Sequence, residues 1–199
     1  MPRKANFGRS TKETRVSVTL DLDGTGDATV RTGVGFFDHL FTSLAHHALF
    51  DLTVITEGDL EVDDHHTVED TALCVGEALG AALGERTGIH RFGDARVPMD
   101  EAIGSATVDV GGRPYSVIDL ELATPAIGNL TAQNIPHALE SFARSAGITM
   151  HVTATGRNDH HVAEAAFKAL ARALRAAVSP DERRSGVPST KGAPSQVAS

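Results

Sequence analysis

The motif H-H-x-x-E occurs twice in this chain of 199 residues, at positions 65–69 and 160–164. Imidazole and carboxylate groups are common ligands of divalent metal ions, and their repetition at this spacing favours metal sites over solvated surface residues. If each motif opens a helix, its first histidine and its glutamate project from one face, so that one ion can reach both. The second histidine is rotated by about 100° around the helix axis, which directs it toward a second ion. The repeated motif therefore predicts two metal ions.

Each predicted ligand set combines both motifs, because the motifs would face each other across an approximate twofold axis. One set is His65, Glu69 and His161, and the other is His160, Glu164 and His66. His39 and His137 stand at matching places upstream and are the expected fourth ligands. Three imidazoles and one carboxylate leave open positions on an ion that prefers six ligands, so we expect Mn²⁺, with Fe²⁺, Co²⁺ and Zn²⁺ as alternatives.

Other polar residues near the motifs have expected roles as well. The carboxylates that could accept hydrogen bonds from the ligand imidazoles are Glu61, Asp63 and Asp70. His46 and His47 fall outside the matched set, and for both of them lining a substrate pocket and structural packing stay open as alternatives. We include His47 among the candidate substrate-binding residues.

The composition indicates a soluble protein of the cytoplasm. Hydrophobic residues make up 41% and charged residues 22% of the chain, which is ordinary for a globular protein. The net charge of −8 argues against non-specific binding of nucleic acid. No apolar run approaches the roughly 20 residues that cross a membrane, and the basic start of the chain lacks the apolar stretch of a signal peptide. The single cysteine, Cys74, lies in a helical apolar pattern and is an expected core residue.

Internal similarity extends well beyond the histidines. Residues 39–58 align with residues 137–156 without a gap, and Asp64 and Asp159 then align as expected helix caps. Each half is predicted to form a β-hairpin, a helix, a strand and a second helix. The predicted hairpin strands are residues 16–22 with 28–32 in the first half, and residues 106–110 with 115–122 in the second.

This duplicated pattern predicts an α+β fold. We expect mixed four-stranded sheets, helices packed on one face of each sheet, and an approximate twofold axis between the halves. The chain would form a single domain over residues 1–199, with halves at about 9–95 and 96–180. Residues 181–199 have no apolar periodicity and are predicted to be a flexible C-terminal tail.

Five stretches of the chain resemble the imidazoleglycerol-phosphate dehydratase family of histidine biosynthesis. They are GFFDHLFTSLAHHALFDLTV, GDLEVDDHHTVEDTAL, GIHRFG, IPHALESFA and NDHHVAEAAFKALARAL. The resemblance runs from about residue 9 to residue 191, and paired H-H-x-x-E motifs in this order are highly specific. It implies two Mn²⁺ ions per active site and a homo-oligomer of twenty-four chains, with active sites where subunits meet. The chain stops after one domain and lacks the phosphatase domain that some bacteria fuse to this enzyme, so we expect a monofunctional protein.

The implied reaction removes water from imidazole-glycerol phosphate and yields imidazole-acetol phosphate. The C–H bond that must be broken is not acidic, so the imidazole ring has to serve as an electron sink. A ring bound through both nitrogens to two cations is held as imidazolate, which can expel the neighbouring hydroxyl and acidify that C–H bond. A general base then removes the proton.

The resemblance also implies which residues bind this small imidazole phosphate. Glu13 matches a substrate-contacting glutamate and is the expected general base. Arg91 and Arg113 match contacts to the phosphate and the substrate. Ser189 and Lys191 match a C-terminal segment that we expect to order over bound phosphate and exclude water.

Two other classes of protein stay open as alternatives. A binuclear metallohydrolase acting on a phosphate ester would hold its ions about 4 Å apart around a bridging carboxylate and an activated water. An imidazole bridge would separate the ions by about 6 Å, so a metal–metal distance discriminates between the two. A non-catalytic metal store or sensor would have no use for Glu13, Arg91 and Arg113 near the ions.

Overall fold

The structure is a computed structural model that describes residues 3–190. Its first half comprises β1 Lys4–Ser10, β2 Thr14–Asp21, β3 Ala28–Arg31, α1 Gly35–Ala48, β4 Asp51–Gly58 and α2 His65–Leu83. Its second half comprises β5 Phe92–Met99, β6 Ala102–Asp109, β7 Tyr115–Leu120, β8 Ala126–Ile127, β9 Leu130–Thr131, α3 Asn134–Ala146, β10 Thr149–Thr155 and α4 Asp159–Val178. Within residues 3–190 no helix combines the length and the apolar character that crossing a membrane requires.

Two mixed four-stranded sheets enclose a layer of helices. The strand order is β1-β2-β4-β3 in the first sheet and β5-β6-β10-β7 in the second. The pairs β3–β4 and β7–β10 are parallel, and the other pairs are antiparallel. α1 and α2 pack against the first sheet and α3 and α4 against the second, while α1 meets α4 and α2 meets α3. Each half therefore presents its helices to the helices of the other.

The alternation of side chains along the strands explains why each sheet has one covered face. In β2, Val16, Val18 and Leu20 are buried beneath the helices, whereas Ser17 and Thr19 between them are exposed. Successive side chains of a strand point to opposite faces, so this pattern directs one apolar row into the core. The apolar rows hold the helices that carry both motifs against the sheets.

Helix α4, which begins with the second motif, lies close to its sheet. A Cβ atom at Gly104 in β6 would contact the carbonyl oxygen of Ala165. Only glycine leaves room for this approach, because it lacks the Cβ atom. The contact fixes the distance between the sheet and the helix that positions His160 and Glu164.

The predicted α+β fold, with mixed four-stranded sheets and helices on one face of each, is confirmed. The predicted hairpins are wrong, because β4 lies between β2 and β3 and β10 lies between β6 and β7. The hairpins that do form are β1–β2 and β5–β6. Side-chain alternation identifies a strand but not its partner, and a helix between two strands returns the chain to a parallel neighbour.

The segment between α2 and β5 separates the two sheets and contacts the C-terminal segment. β5 spans residue 95 and belongs wholly to the second sheet, so the sheets divide between α2 and β5. The Gly88 N–H donates to the Gly186 carbonyl at 3.1 Å, the Asp181 N–H donates to the Gly88 carbonyl at 2.9 Å, and Pro188 is buried. Residues 181–190 therefore pack against the loop before β5, and the flexibility expected of the C-terminal tail stays a prediction. Residues 191–199 lie outside the described residues.

Candidate functional site

The first group of candidate ligands, which we call the His65 cluster, consists of His65, Glu69 and His137. One ligand atom of each lies within 4.8 Å of the others. α2 carries the first two residues and α3 the third, and the Glu69 carboxylate oxygens lie 3.7 Å from His65 Nε2 and 3.6 Å from His137 Nε2. His137 Nε2 is buried without a hydrogen-bond partner in the described part of the chain. A buried nitrogen of this kind fits a metal ligand, because a bound ion would satisfy it.

The second group, which we call the His160 cluster, consists of His39, His160 and Glu164. α1 supplies the first residue and α4 the other two. Oε1 of Glu164 lies 2.8 Å from both His39 Nε2 and His160 Nε2, and the carboxylate is only 7% exposed. An oxygen that accepts from both imidazoles requires a proton on each, and divalent metal binding displaces such protons. The donor set of two imidazoles and one carboxylate therefore fits a metal here as well.

The upstream histidines are distributed so that each cluster draws on both halves. His137 of the second half joins the first motif, and His39 of the first half joins the second motif. This grouping follows from the helix packing, because α2 meets α3 and α1 meets α4. Neither half alone contains a complete cluster.

Lys168 binds the other oxygen of Glu164, with Nζ 2.5 Å from Oε2. Burial alone would raise the pKa of Glu164, but hydrogen bonds from Lys168, His39 and His160 outweigh it and bring the pKa to about 2. The carboxylate is therefore ionised at neutral pH, as a metal ligand must be. Sequence reasoning missed Lys168, although its position four residues after Glu164 places both on one face of a helix.

The second histidine of each motif lies apart from both clusters. His66 Nδ1 is 3.0 Å from Asp59 Oδ2, and His161 Nδ1 is 2.8 Å from Glu101 Oε2. Each hydrogen bond raises the pKa of its histidine and orients the ring so that Nε2 is the nitrogen available to a ligand. The predicted ligand sets placed His161 with His65 and Glu69, and His66 with His160 and Glu164. Within residues 3–190 of one chain, neither histidine joins a cluster.

Two of the carboxylates expected to orient ligand imidazoles lie elsewhere. Asp63 accepts a hydrogen bond from the backbone N–H of His65 at 2.8 Å and so supports the start of α2. Glu61 is exposed. The His65 ring has Asn134 Oδ1 at 3.3 Å from its Nδ1. An amide of α3 thus takes the role that was expected of a carboxylate from the motif's own loop.

Asp64 and Asp159 were expected to cap the motif helices, but neither makes a capping hydrogen bond. Asp64 occupies the N-cap position of α2 without a capping hydrogen bond, and the N-cap of α4 is Asn158 rather than Asp159. The Asp64 carboxylate accepts the backbone N–H and hydroxyl of Thr131, both at 2.7 Å. The Asp159 carboxylate accepts the N–H and hydroxyl of Thr124, at 2.6 and 2.5 Å. Both carboxylates tie the segment before α3 to the start of a motif helix.

Two hairpin turns bring further carboxylates beside the second histidines. Glu13 is exposed in the β1–β2 turn, and its charge adds to the effect of Asp59 in raising the pKa of His66. Asp100 occupies the β5–β6 turn with a φ of 49°, and its Oδ2 lies 3.8 Å from His161 Nε2. Aspartate adopts this left-handed region more readily than most residues, which suits the two-residue turn between β5 and β6. Sequence reasoning missed Asp100 because it did not identify β5 as a strand.

The Glu13 turn is anchored to α2 through Asp70. This buried carboxylate accepts a hydrogen bond from the Thr14 hydroxyl and lies 3.2 Å from Arg9 Nε. Thr11 Oγ1 completes the turn by accepting the backbone N–H of Glu13 at 3.1 Å. Asp70 was expected to orient an imidazole, and instead it joins the turn to the helix that begins with the first motif.

The two arginines expected to contact substrate lie around one carboxylate, that of Asp109. Arg91 places Nε 2.7 Å from Oδ1 and Nη2 2.9 Å from Oδ2 of Asp109, and its Nη1 donates to the Pro188 carbonyl at 2.6 Å. The hydrogen bond from Arg91 lowers the pKa of Asp109 against the opposing effect of burial, and the charge of Arg113 lowers it further. The structure therefore brings Arg91 and Arg113 to the same end of the second sheet.

The predicted C-terminal contacts lie at the limit of the described chain. Ser189 directly follows the buried Pro188, so it is held close to the Arg91 side chain. Lys191 lies outside the described residues, and its role stays a prediction.

His47 faces α4 at the end of α1. The pKa of His47 is lowered, chiefly by burial. The nearby charges of His46, Lys168 and Arg172 lower it further. His46 itself is exposed. The position of His47 near Lys168 places it on the side of the His160 cluster, and its contact with substrate stays a prediction.

Comparison with known proteins shows the family to which this chain is similar. The family model described as imidazoleglycerol-phosphate dehydratase matches residues 32–174. A relative of that name from Haloarcula marismortui is 51% identical over 96% of this chain and 97% of its own length. Another of that name from Phytophthora nicotianae is 56% identical over 96% of this chain, which spans 42% of that longer protein.

A solved structure of IGPD from Pyrococcus furiosus, in complex with (S)-C348, is similar at a TM-score of 0.79 and 34% identity. The match covers 93% of this chain and 98% of that one. Sequence and fold agree over nearly the whole chain, and the chain therefore belongs to the imidazoleglycerol-phosphate dehydratase family.

Proposed function

We propose that the protein removes water from imidazoleglycerol phosphate and produces imidazole-acetol phosphate in histidine biosynthesis. The observation that carries the proposal is the pair of matching clusters, each of two histidines and one glutamate, in a chain of this family. Two metal sites of the same composition suit a substrate ring with two nitrogen donors. The reaction class is a hydro-lyase, since a hydroxyl and a proton leave neighbouring carbons.

The His65 cluster and the His160 cluster would each hold one divalent ion. The unpartnered nitrogen of His137 and the ionised carboxylate of Glu164 support this assignment. Imidazole and carboxylate ligands without a thiolate suit Mn²⁺, with Fe²⁺, Co²⁺ and Zn²⁺ as alternatives. When bound, such ions supply Lewis acidity that stabilises charge developing on the substrate ring.

The second histidine of each motif is proposed to serve a neighbouring chain. His66 and His161 have their Nδ1 atoms held by carboxylates and lie outside the clusters of their own chain. A site where subunits meet would be completed by one of these histidines. The proposal thus implies a homo-oligomer, for which the assembly of twenty-four chains implied by the resemblance is the expected form.

Glu13 is proposed to act as the general base. Its carboxylate is exposed in a turn that is fixed to α2 through Asp70 and lies near His66. A carboxylate held beside His66 can take the proton from the carbon adjacent to the one that loses its hydroxyl. Asp100 offers a second carboxylate at the corresponding turn beside His161.

The substrate phosphate is proposed to bind the cationic groups at the end of the second sheet and at α4. Arg91 and Arg113 supply fixed guanidinium charge, which suits a phosphate. Ser189 is held next to them through Pro188. Lys191 and His47 complete the proposed set of substrate contacts.

The alternative of a binuclear phosphoesterase is not favoured. Glu69 and Glu164 belong to different clusters, and no carboxylate is shared between the clusters in residues 3–190. Hydrolases of that class commonly use a carboxylate that bridges both ions around an activated water. Membership of the dehydratase family points the same way.

The proposal is tested by incubating Mn²⁺-reconstituted protein with imidazoleglycerol phosphate and measuring both imidazole-acetol phosphate and inorganic phosphate. We expect the ketone without free phosphate. Glu164→Gln, which removes the charge of one ligand, is expected to be inactive under the same conditions. Release of inorganic phosphate without the ketone would favour the hydrolase, and absence of both products from metal-loaded protein would contradict the proposal.

A further inference from the structure

Asp109, the last residue of β6, makes three hydrogen bonds with its carboxylate. It accepts from Arg91 Nε at 2.7 Å, from Arg91 Nη2 at 2.9 Å and from the backbone N–H of Gly111 at 2.8 Å. The two side chains are 17% and 16% exposed, so the pair is largely shielded from solvent. A bidentate pair of this kind fixes both the position and the plane of the guanidinium.

Arg91 also binds the C-terminal segment. Its Nη1 donates to the Pro188 carbonyl at 2.6 Å, which places Ser189 beside the guanidinium. The guanidinium has five N–H groups. Two donate to Asp109 and one donates to Pro188, which leaves two N–H groups for a phosphate. Asp109, Arg91 and Pro188 therefore form one continuous chain of contacts.

The turn after β6 is built around the same pair. A Cβ atom at Gly111 would lie 2.7 Å from Arg91 Nε and 2.7 Å from Asp109 Oδ1, so only glycine leaves the pair undisturbed. The turn leads directly to Arg113, whose charge acts on Asp109. The Asp109 carboxylate thus binds Arg91, interacts with the charge of Arg113 and is linked through Arg91 to the segment that carries Ser189.

We propose that Asp109 is a positioning residue for the phosphate of the substrate. It orders these three segments before the substrate arrives, although it does not touch the phosphate itself. Binding then costs less conformational entropy, because the cationic groups already converge. The inference rests on the proposed function, since Arg91, Arg113 and Ser189 are proposed phosphate contacts there.

A counter-ion that merely neutralised the arginines would have the opposite effect. Removing a negative charge from their neighbourhood would strengthen attraction for the phosphate and lower KM. Loss of positioning would raise KM instead, with little change in kcat, because the groups that transfer protons lie elsewhere. The direction of the change in KM therefore separates the two roles.

The test compares Asp109→Asn and Gly111→Ala with wild-type, metal-loaded protein. The first removes the charge, and the second displaces the Arg91–Asp109 pair without removing a charge. We expect both variants to raise KM for imidazoleglycerol phosphate by about tenfold or more, with kcat changed by less than about threefold. The inhibition constant of inorganic phosphate should rise in parallel. Asp94→Asn, an exposed carboxylate of β5, is the matched control and should leave all values unchanged.

A second readout does not depend on catalysis. Trypsin can cut after the exposed Arg183 and Arg184, and release of Pro188 should make this cleavage about tenfold faster in both variants. If Asp109→Asn does not fold, Gly111→Ala carries the test. An unchanged or lowered KM, a fall of kcat alone, or unchanged cleavage would overturn the inference. A wild-type protein without dehydratase activity would contradict the proposed function and leave the cleavage result to decide the positioning of the segment.

Discussion

Nδ1 of His161 lies 2.8 Å from Oε2 of Glu101. The other carboxylate oxygen of Glu101 accepts the backbone N–H groups of Arg157 and Asn158 at 3.2 and 2.9 Å, which ties the β5–β6 turn to the start of α4. The hydrogen bond from His161 is the main cause that brings the pKa of Glu101 to about 2. The carboxylate is therefore ionised at neutral pH, and its hydrogen bond with Nδ1 leaves Nε2 as the nitrogen available to a ligand.

We expect Glu101→Gln to weaken Mn²⁺ binding by roughly tenfold to hundredfold, the usual effect of losing the partner of a ligand histidine. Glutamine keeps an acceptor for the two backbone N–H groups and changes only the group that faces His161. Calorimetric titration of assembled protein with Mn²⁺ gives the affinity. Glu121→Gln, an exposed residue after β7, is the control. Equal affinities in the two variants would show that Glu101 does not support a metal ligand.

His65→Ala and His160→Ala should each lose about one of two bound ions per chain, because each removes a ligand from a different cluster. We also expect a weakened assembly, since the ions are proposed to join chains. Metal analysis and light scattering measure the two effects. His151→Ala, on the exposed face of β10, should keep both the metal and the assembly. Full metal content in both cluster variants would refute the ligand assignment.

Glu13→Gln should lower kcat by roughly a hundredfold or more while Mn²⁺ content and assembly stay unchanged, as expected for the loss of a general base. Glutamine retains the size of the side chain, so the turn held by Thr11 should persist. Steady-state kinetics and metal analysis on one preparation check both parts. Glu57→Gln, in an exposed position of β4, provides a neutral comparison. Wild-type turnover would remove Glu13 from the mechanism.

Asp51 should stabilise the fold in a pH-dependent way. Its Oδ1 accepts the backbone N–H groups of Thr25, Gly26 and Asp27 at 2.7, 3.1 and 3.1 Å, and these hydrogen bonds, that of Thr25 first, lower its pKa. A lowered pKa contributes stability above the ordinary carboxyl pKa of about 4, and this contribution disappears as pH falls through the folded-state value.

Asp51→Asn should therefore lower the free energy of unfolding by about 1 kcal/mol at pH 7, because a neutral amide oxygen is the weaker acceptor. The difference from wild type should shrink progressively below pH 4. Denaturant titrations at pH 7 and at pH 3 measure it. A difference that is the same at both pH values would show that the charge of Asp51 is not the cause.

The parts of the site that depend on local geometry could be predicted from the sequence. His160 and Glu164 share a helix face because they lie four residues apart on one helix. The structure places His160 Nε2 2.8 Å from Glu164 Oε1. The orientation of His161 could not be predicted in this way. It depends on Glu101, sixty residues earlier in the chain, and on a turn that forms only after β5 pairs with β6.

The same distinction applies to the sheets. Alternation in β2 predicted a strand with one buried face, as observed. β5 was missed because Gly93 and Pro98 interrupt the pattern that identifies a strand. Strand order depends on which helix separates which strands, so the central places of β4 and β10 could not be derived from periodicity.

The division of each cluster between the halves bears on how such a chain could originate. A chain of half this length would carry one upstream histidine and one H-H-x-x-E motif, and could not bring them together by itself. Two copies of it, associated as a symmetric dimer through their helices, would create both clusters at once. Fusion of two such ancestral copies would leave both clusters in place and make a previously intermolecular contact, such as that of His39 with Glu164, permanent.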